Sequence, residues 1–273
     1  MRKMLKIIPG LLLLAAALAP SPAGAQPIRA IYEVYAAGMT VLQVEAEIET
    51  TATGYRMTTA VQPRGVVATF FPGQQATRVQ GQWAGLRALP TSYHSEGVWR
   101  GTPRRTTLGW EGTALRLVDL LPADTAEHEP VSEDQKAGTT DALSALALAS
   151  RAVQATGRCE TEAAVFDGRR RSTYRLQTVG MEVVRPWREA WHGQALRCGF
   201  EGRLVAGFRL DQPRERAGQP QTGTVWIASP FPGAPALPVR LETQNRWVGT
   251  ATAVLLRVEP VRPAATPVSA RPQ

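Results

Sequence analysis

Apolar and polar residues alternate with a period of two along most of this chain. After Thr40, one face carries Leu42, Val44, Ala46 and Ile48, and the other carries Gln43, Glu45, Glu47 and Glu49. This contrast is typical of an antiparallel strand that is buried on one side only. Glycine-containing turns separate this segment from similar ones at Ile28–Tyr35 and Tyr55–Gln62. The three segments predict a meander of neighbouring strands.

Strand-like alternation extends over two long regions, residues 28–118 and 159–259. In the second region Asp167-Gly168 separates two strand-like segments and predicts a β-hairpin. The first region is interrupted at residues 64–71, where an apolar run predicts a short helix or a buried crossing. Between the two regions, residues 119–138 are acidic and poorly patterned. They predict an exposed connector, in which the side chain of His128 is also exposed.

One substantial helix is predicted at residues 140–156. Thr139 or Thr140 can cap its start, Asp141 can interact with the helix dipole in the first turn, and Gly157 can end it. The helix interior is rich in alanine and leucine, and so many small side chains permit close packing across a sheet.

These patterns predict a mainly β fold, with curved antiparallel sheet in two strand-rich halves and one substantial α-helix between them. One continuous sheet and two packed sheets are both compatible with the pattern. We expect a single domain over residues 26–262, which is long enough to bury a sizeable core without metals. Residues 263–273 are rich in proline and alanine and predict an unstructured tail.

The N-terminal residues 1–25 have the organisation of a secretory signal peptide. A basic start precedes an apolar run, and Ala23-Gly24-Ala25 is typical of a signal peptidase site, which predicts cleavage after Ala25. The apolar run is shorter than the ~20 residues that cross a bilayer. We therefore expect a periplasmic protein with no membrane span after cleavage. The residue directly after the predicted cleavage site is Gln26 and not a cysteine, so no lipid anchor is expected.

The chain contains 2 cysteines, Cys159 and Cys198. In an oxidising compartment such a pair is most simply a disulfide. It would close a loop of about 40 residues and stabilise the fold by roughly 4 kcal/mol. A redox-active pair is the alternative, although such pairs usually occupy a Cys-x-x-Cys turn.

The net charge of +8 comes from 31 lysines and arginines against 23 aspartates and glutamates, and part of it leaves with the signal peptide. The remaining positive charge is almost entirely arginine. Arginine binds phosphate in two-pronged fashion, so this composition either indicates attraction to anionic envelope surfaces or carries no functional meaning. No basic stripe is interleaved with aromatic residues, and a nucleic-acid partner is therefore not expected.

Motifs for catalysis, metal binding and cofactor binding are missing from the sequence. It contains no His-Glu-x-x-His, no Gly-x-Ser-x-Gly elbow and no phosphate-binding glycine loop before a helix. His94 and Glu96 would share a strand face, where they could act as base and helper or form an ordinary solvated face. We therefore expect no catalytic residues, no metal site and no cofactor.

The candidate binding residues are aromatic and cationic. Tryptophans on the concave face of a curved sheet would line an apolar cavity suited to a lipid chain. Strand alternation after Asp167-Gly168 would let Arg169 and Arg171 share a face and recognise phosphate or carboxylate. The full set is Trp83, Trp99, Trp110, Trp226, Trp247, Arg169 and Arg171.

Several short segments together make the chain resemble a family of exported bacterial proteins, DUF3108. They include Tyr32-Glu-Val-Tyr-Ala-Ala-Gly38, Thr140-Asp-Ala-Leu-Ser-Ala-Leu146, Phe166-Asp-Gly-Arg-Arg170 and Leu237-Pro-Val-Arg-Leu241. The likeness extends over residues 28–259. The resemblance implies export and a β-rich fold, and it brings no established reaction and no accepted catalytic residues.

Three functional hypotheses follow from the sequence. The leading one is a non-catalytic periplasmic protein that binds an apolar or amphipathic envelope component, such as a lipid, on its curved sheet. The alternative is a structural or assembly factor that contacts envelope proteins or the cell wall. The third is an envelope hydrolase that uses His94 or His192 with a nearby carboxylate.

Overall fold

A computed structural model describes residues 26–70, 72–99, 101–123, 127–245 and 249–261. The predicted signal peptide, the predicted tail at 263–273 and Trp247 lie outside these described residues. The fold is mainly β, as the alternation predicts.

The described residues form 13 strands. The first half contains β1 (Ile28–Ala36), β2 (Met39–Thr50), β3 (Gly54–Pro63), β4 (Gly73–Ala84), β5 (Arg87–Trp99), β6 (Thr102–Glu111) and β7 (Ala114–Leu121). The second half contains β8 (Thr161–Phe166), β9 (Arg171–Val184), β10 (Gly193–Ala206), β11 (Gln221–Ala228), β12 (Leu237–Asn245) and β13 (Gly249–Pro260).

All 13 strands belong to one continuous antiparallel sheet, in the order β7-β6-β5-β4-β3-β2-β1-β13-β12-β11-β10-β9-β8. The two halves join through β1 and β13, whose pairing runs from Ile28 opposite Pro260 to Ala36 opposite Ala251. Of the two arrangements that the sequence allowed, the structure therefore has the single sheet.

The main helix begins at Ala142, one or two residues later than the expected caps Thr140 and Thr139 imply. Asp141 itself is the N-cap, and its carboxylate accepts a hydrogen bond from the Ser144 backbone N at 2.9 Å. The expected threonine cap is wrong because the backbone of Thr140 is already paired with β8. Gly157 ends the helix with a φ of 69°, as predicted. The helices are α1 (Gly65–Phe70), α2 (Glu133–Lys136), α3 (Ala142–Thr156) and α4 (Arg214–Ala217).

The sheet curves around α3. This helix packs against β4 and β5 of the first half and against β8 of the second half. Its Ala147 belongs to a cluster of buried side chains that includes Ile48 and Met57 from one half and Leu255 from the other. Burial of apolar surface from distant strands in one cluster stabilises the curved form of the sheet. Within the described ranges, no helix combines the length and the apolar character needed to cross a membrane.

The two edge strands of the sheet are brought together by side chains. Phe166, at the end of β8, belongs to one buried cluster with Leu108 of β6 and Leu115 of β7. The turn after β8 lies so close to β6 that a Cβ on Gly168 would be 2.6 Å from Thr106 Cγ2. Gly168 also has a φ of 98°, which an L side chain rarely adopts. The turn that the sequence predicted at Asp167-Gly168 therefore brings the two edges of the open sheet into side-chain contact.

The segment predicted as an exposed connector is partly structured. Strand β7 extends to Leu121, α2 lies within the segment, and the backbone of His128 pairs with Arg209 after β10. Backbone hydrogen bonds between residues 127–129 and 208–210 attach the segment to the sheet. Because of this attachment His128 is only 8% exposed, and the expectation of an exposed side chain is wrong.

Cys159 and Cys198 form the predicted disulfide, with their Cα atoms 6.1 Å apart. Both residues are fully buried, in an apolar cluster that also contacts Val153 of α3. The disulfide thus ties the connection between α3 and β8 to strand β10 in the same sheet.

Candidate functional site

A cavity of about 560 Å³ lies on the inner side of the curved sheet, next to the turn after β8. Strands β2 to β6 form one side of it, and residues 127–128, the turn after β8 and Arg209 form the other. Its volume falls within the range of about 300–1,000 Å³ that is typical of small-molecule sites. A smaller cavity of about 370 Å³ lies beside the second half of α3.

The strand register explains the position of the larger cavity. One row of side chains across six neighbouring strands is mostly large and apolar and consists of Ile28, Ile48, Met57, Val79, Tyr93 and Leu108. The next row on the same face is small and consists of Ala30, Ala46, Thr59, Thr77, Ser95 and Thr106. The large row, together with Ala30 and Ala46 of the small row, packs in the core around α3. Ser95 and Thr106 of the small row line the cavity, as do the next paired positions on the same face, which are Val61, Gln75, Gly97 and Arg104.

Neutral hydroxyl groups line the floor of the cavity. Ser95 Oγ accepts a hydrogen bond from Gln75 Nε2 at 2.8 Å and lies 3.1 Å from Thr77 Oγ1. Tyr93 packs against two buried apolar clusters, and burial raises the pKa of its phenol, which therefore stays neutral at physiological pH. Apolar parts of the wall come from Leu42, Val61, Pro63 and Val98.

A buried hydrogen-bond chain connects the sheet to the start of α3. The Tyr55 hydroxyl donates to Ser144 Oγ at 2.7 Å, and Ser144 Oγ donates to Asp141 Oδ2 at 2.6 Å. Tyr55, Ser144 and Asp141 are 4%, 0% and 1% exposed. Burial raises the pKa of both Tyr55 and Asp141, because their charged forms lose solvation. The chain fixes the helix in place, and its enclosed serine is out of reach of a substrate.

Arginines are frequent around the entrance of the cavity. Arg105 pairs with Asp119, and this hydrogen bond lowers the pKa of the Asp119 carboxyl. Arg170 pairs with Asp167 within the turn after β8, at 2.7 Å. The cavity therefore combines apolar walls with a charged entrance. The charged lining residues are Arg104, Arg105, Arg169, Arg170, Arg209, Glu96, Glu127 and Asp167.

The tryptophans singled out from the sequence are not gathered around this cavity. Trp99 lines its rim and is 45% exposed. Trp110 is buried among β6, β7 and β8, where its Nε1 donates to the Thr139 carbonyl at 2.9 Å. The ring centroid of Trp83 lies 4.6 Å from that of Tyr55, and the Arg151 guanidinium of α3 lies 4.5 Å from Trp83. Trp83 and Trp110 thus take part in packing the helix and the edge strands.

Trp226 faces away from the side of β11 that packs on the disulfide. Its strand neighbours Val225 and Ile227 belong to the disulfide cluster, and alternation directs Trp226 to the opposite face. There its Nε1 donates to Glu182 Oε2 at 3.3 Å. Trp247 lies outside the described residues.

Arg169 lies in a turn and Arg171 lies in a strand. Arg169 belongs to the turn before β9, lines the cavity and donates from Nη2 to the Pro122 carbonyl at 2.7 Å. Arg171 is the first residue of β9, and its buried Nε has no hydrogen-bond partner among the described residues. The expectation that they share a strand face is wrong, because strand alternation does not extend into the turn.

The three histidines lie on different parts of the described chain. His94 and Glu96 share the outer face of β5, as expected, with 3.6 Å between Nε2 and Oε2. His128 lines the cavity and His192 is exposed. Over the ranges that the structure describes, no group of three or more His, Cys, Asp or Glu residues could hold a metal ion.

Sequence reasoning missed Arg104, the row of hydroxyls and His128 as residues of the cavity. The sequence of β6 did indicate that Arg104 shares a strand face with Thr106 and Leu108, because these residues occupy alternate positions. Which face lies inside, however, depended on the contact of Leu108 with Phe166 between the two edges of the sheet.

Comparisons with known proteins agree with the β-rich fold. A β-barrel-like protein of the domain of unknown function DUF1849 from Brucella abortus has a TM-score of 0.51 and 9% sequence identity, and the match covers 87% of this chain and 98% of that protein. That likeness supports the fold alone. A Bacteroides fragilis protein with a YmcC-like fold matches 85% of this chain and 95% of its own at 12% identity, and its TM-score of 0.32 supports no conclusion.

Sequence comparison supports one assignment. No curated protein of known function shows significant similarity to this chain. The model of one family, described as protein of unknown function (DUF3108), matches residues 31–256, and the chain therefore belongs to the DUF3108 family.

Proposed function

We propose that this protein is a non-catalytic periplasmic binding protein that encloses part of a small apolar or amphipathic component of the cell envelope. The observation that carries the proposal is the cavity of about 560 Å³ on the inner face of the curved sheet. Export rests on the signal peptide predicted at residues 1–25.

The origin of the cavity supports a binding role. Protein interiors are normally close-packed, with few voids larger than a water molecule. Here the cavity is lined by residues of five neighbouring strands, β2 to β6, together with the turn after β8. A single imperfectly packed side chain would not produce a space with so many walls. The space is therefore a consistent feature of the fold, as a binding site requires.

The lining favours an amphipathic ligand over a reacting substrate. Leu42 and Val61 offer apolar contacts, and the hydroxyl groups of Ser95 and Thr106 offer neutral hydrogen bonds. Of the groups that could in principle catalyse hydrolysis, Ser144 is enclosed and His94 lies on the outer face of β5. His128 and Glu127 line the cavity, and Glu127 pairs there with Arg209. Binding without chemistry is the simplest use of this arrangement.

Filling the cavity tests the proposal. The chain from residue 26 onward is freed of bound lipid and titrated with Nile red, a neutral dye that fluoresces in apolar surroundings. Val61→Trp places a large side chain in the cavity, and Ala60→Trp places the same side chain on the opposite, exposed face of β3. We expect Val61→Trp to weaken dye binding by about tenfold or more and Ala60→Trp to leave it unchanged.

Circular dichroism and unfolding midpoints show whether each variant keeps the fold, and Leu42→Trp on the neighbouring strand replaces Val61→Trp if the latter does not. Absence of saturable dye binding to the unmodified chain would contradict the proposal. Equal losses in the cavity variant and in Ala60→Trp would do so too. Native mass spectrometry of protein isolated from its own periplasm adds a second readout, in which we expect the mass of the chain plus a small ligand.

A further inference from the structure

Arg104 occupies an unusual position on β6. It alternates with Thr106, Leu108 and Trp110, which are all buried, so its side chain starts from the inner face of the sheet. It lies opposite Gly97 in the register, and both residues line the cavity. A Cβ on Gly97 would approach the Gln74 carbonyl to 2.2 Å, so this close pairing with β4 requires glycine. Arg104 is thus a half-buried cation in the wall of the cavity, next to apolar and hydroxyl side chains.

The charge of Arg104 is not balanced by the described residues around it. Its Nε is buried and has no hydrogen-bond partner, and it forms no ion pair with any side chain in the described ranges. The acidic residues of the lining are engaged elsewhere, because Asp167 pairs with Arg170, Glu127 with Arg209 and Glu96 with His94. The half-buried guanidinium of Arg104 is only partly exposed to solvent, and an anion in the cavity would supply a partner for it.

We propose that the ligand is a single-chain amphiphile whose anionic head group, a carboxylate or a phosphate, binds to Arg104 while its chain lies along the apolar wall formed by Leu42 and Val61. This inference rests on the proposed function. The planar guanidinium offers parallel donors that match the oxygens of carboxylate and phosphate. The volume of about 560 Å³ suits one chain.

Four probes of matched chemistry test this inference. A fatty acid, an alkyl phosphate and a fatty alcohol share one chain and differ in the head group, and inorganic phosphate lacks the chain. Each is used below its micelle concentration to displace Nile red from the chain that begins at residue 26. The variants are Arg104→Gln, which removes the charge in the cavity, and Arg78→Gln, which removes an exposed charge on the outer face of β4.

We expect the unmodified chain to bind both anionic amphiphiles at least about tenfold more tightly than the alcohol, and inorganic phosphate not to displace the dye. Arg104→Gln should remove this preference and leave the binding of Nile red and of the alcohol unchanged. Arg78→Gln should change neither. The relative strengths of the fatty acid and the alkyl phosphate then show which head group the site favours.

The outcomes separate this inference from the proposed function. If Nile red and the alcohol bind but the anionic amphiphiles have no advantage, the role of Arg104 is refuted and the cavity remains a binding site. An equal loss of preference in Arg104→Gln and Arg78→Gln would also refute it, because general charge attraction would then be the cause. Displacement of the dye by inorganic phosphate alone would contradict the requirement for a chain. No binding of any probe would refute the proposed function as well.

Discussion

The hydroxyl of Ser144 is the centre of the buried hydrogen-bond chain, and its removal should destabilise the fold. Ser144 Oγ accepts from the Tyr55 hydroxyl at 2.7 Å and donates to Asp141 Oδ2 at 2.6 Å. Ser144→Ala leaves both partners buried without a hydrogen bond at those atoms. Losing the bond to the carboxyl costs about 2 kcal/mol, and the orphaned phenol adds about 1 kcal/mol. The expected loss in the free energy of unfolding is therefore about 3 kcal/mol.

Tyr55→Phe should be milder, because Ser144 then keeps Asp141 as its acceptor. Only one bond between neutral groups is lost, and the expected cost is about 1 kcal/mol. In the variant that carries both changes, no phenol hydroxyl is left without a partner. The double variant should therefore lose about 1 kcal/mol less than the two single variants together.

Urea unfolding followed by tryptophan fluorescence measures these differences, and unchanged m-values would show that the variants unfold from an equally compact state. Ser150→Ala, on the same helix and half-buried, is the control and should change stability by no more than about 0.5 kcal/mol. Additive losses to within about 0.5 kcal/mol would refute the reasoning, because the three side chains would then not act as one chain.

Two further predictions concern the disulfide and the buried carboxyl. Serine at both Cys159 and Cys198 should lower the free energy of unfolding by about 4 kcal/mol, because the disulfide closes a loop with a sequence separation of 39 residues. Urea unfolding measures this loss, and addition of a reductant should destabilise the unmodified chain by the same amount. Burial raises the pKa of Asp141 above its ordinary 3.8, so the native state holds this proton more tightly than the unfolded state. The free energy of unfolding of the unmodified chain, relative to that of Asp141→Asn, should therefore fall as pH rises from 3.8 through the raised pKa. If this difference in free energy does not depend on pH in that window, burial of the Asp141 carboxyl is not the cause.

Local regularities in the sequence were sufficient to predict the class of fold. Period-two alternation identified the strands, Asp167-Gly168 identified a hairpin, and Gly157 identified the end of the helix, because each depends on backbone geometry over a few residues. The pairing of Cys159 with Cys198 followed from composition and the expected compartment. The cap of α3 was not predictable in this way, since Thr140 was withdrawn from the helix by its pairing with β8.

The site itself was decided by tertiary structure. Alternation in β6 determines that Arg104 and Leu108 share a face, and it leaves open whether that face lies inside. The contact of Leu108 with Phe166 brings the two edges of the sheet together and places this face inside, and these residues are far apart in the chain. A cavity depends on how many such distant contacts combine, because packing is set by the shapes of all the neighbours at once. The sequence by itself therefore determined the strands and their faces, and only the folded chain determined which face encloses space.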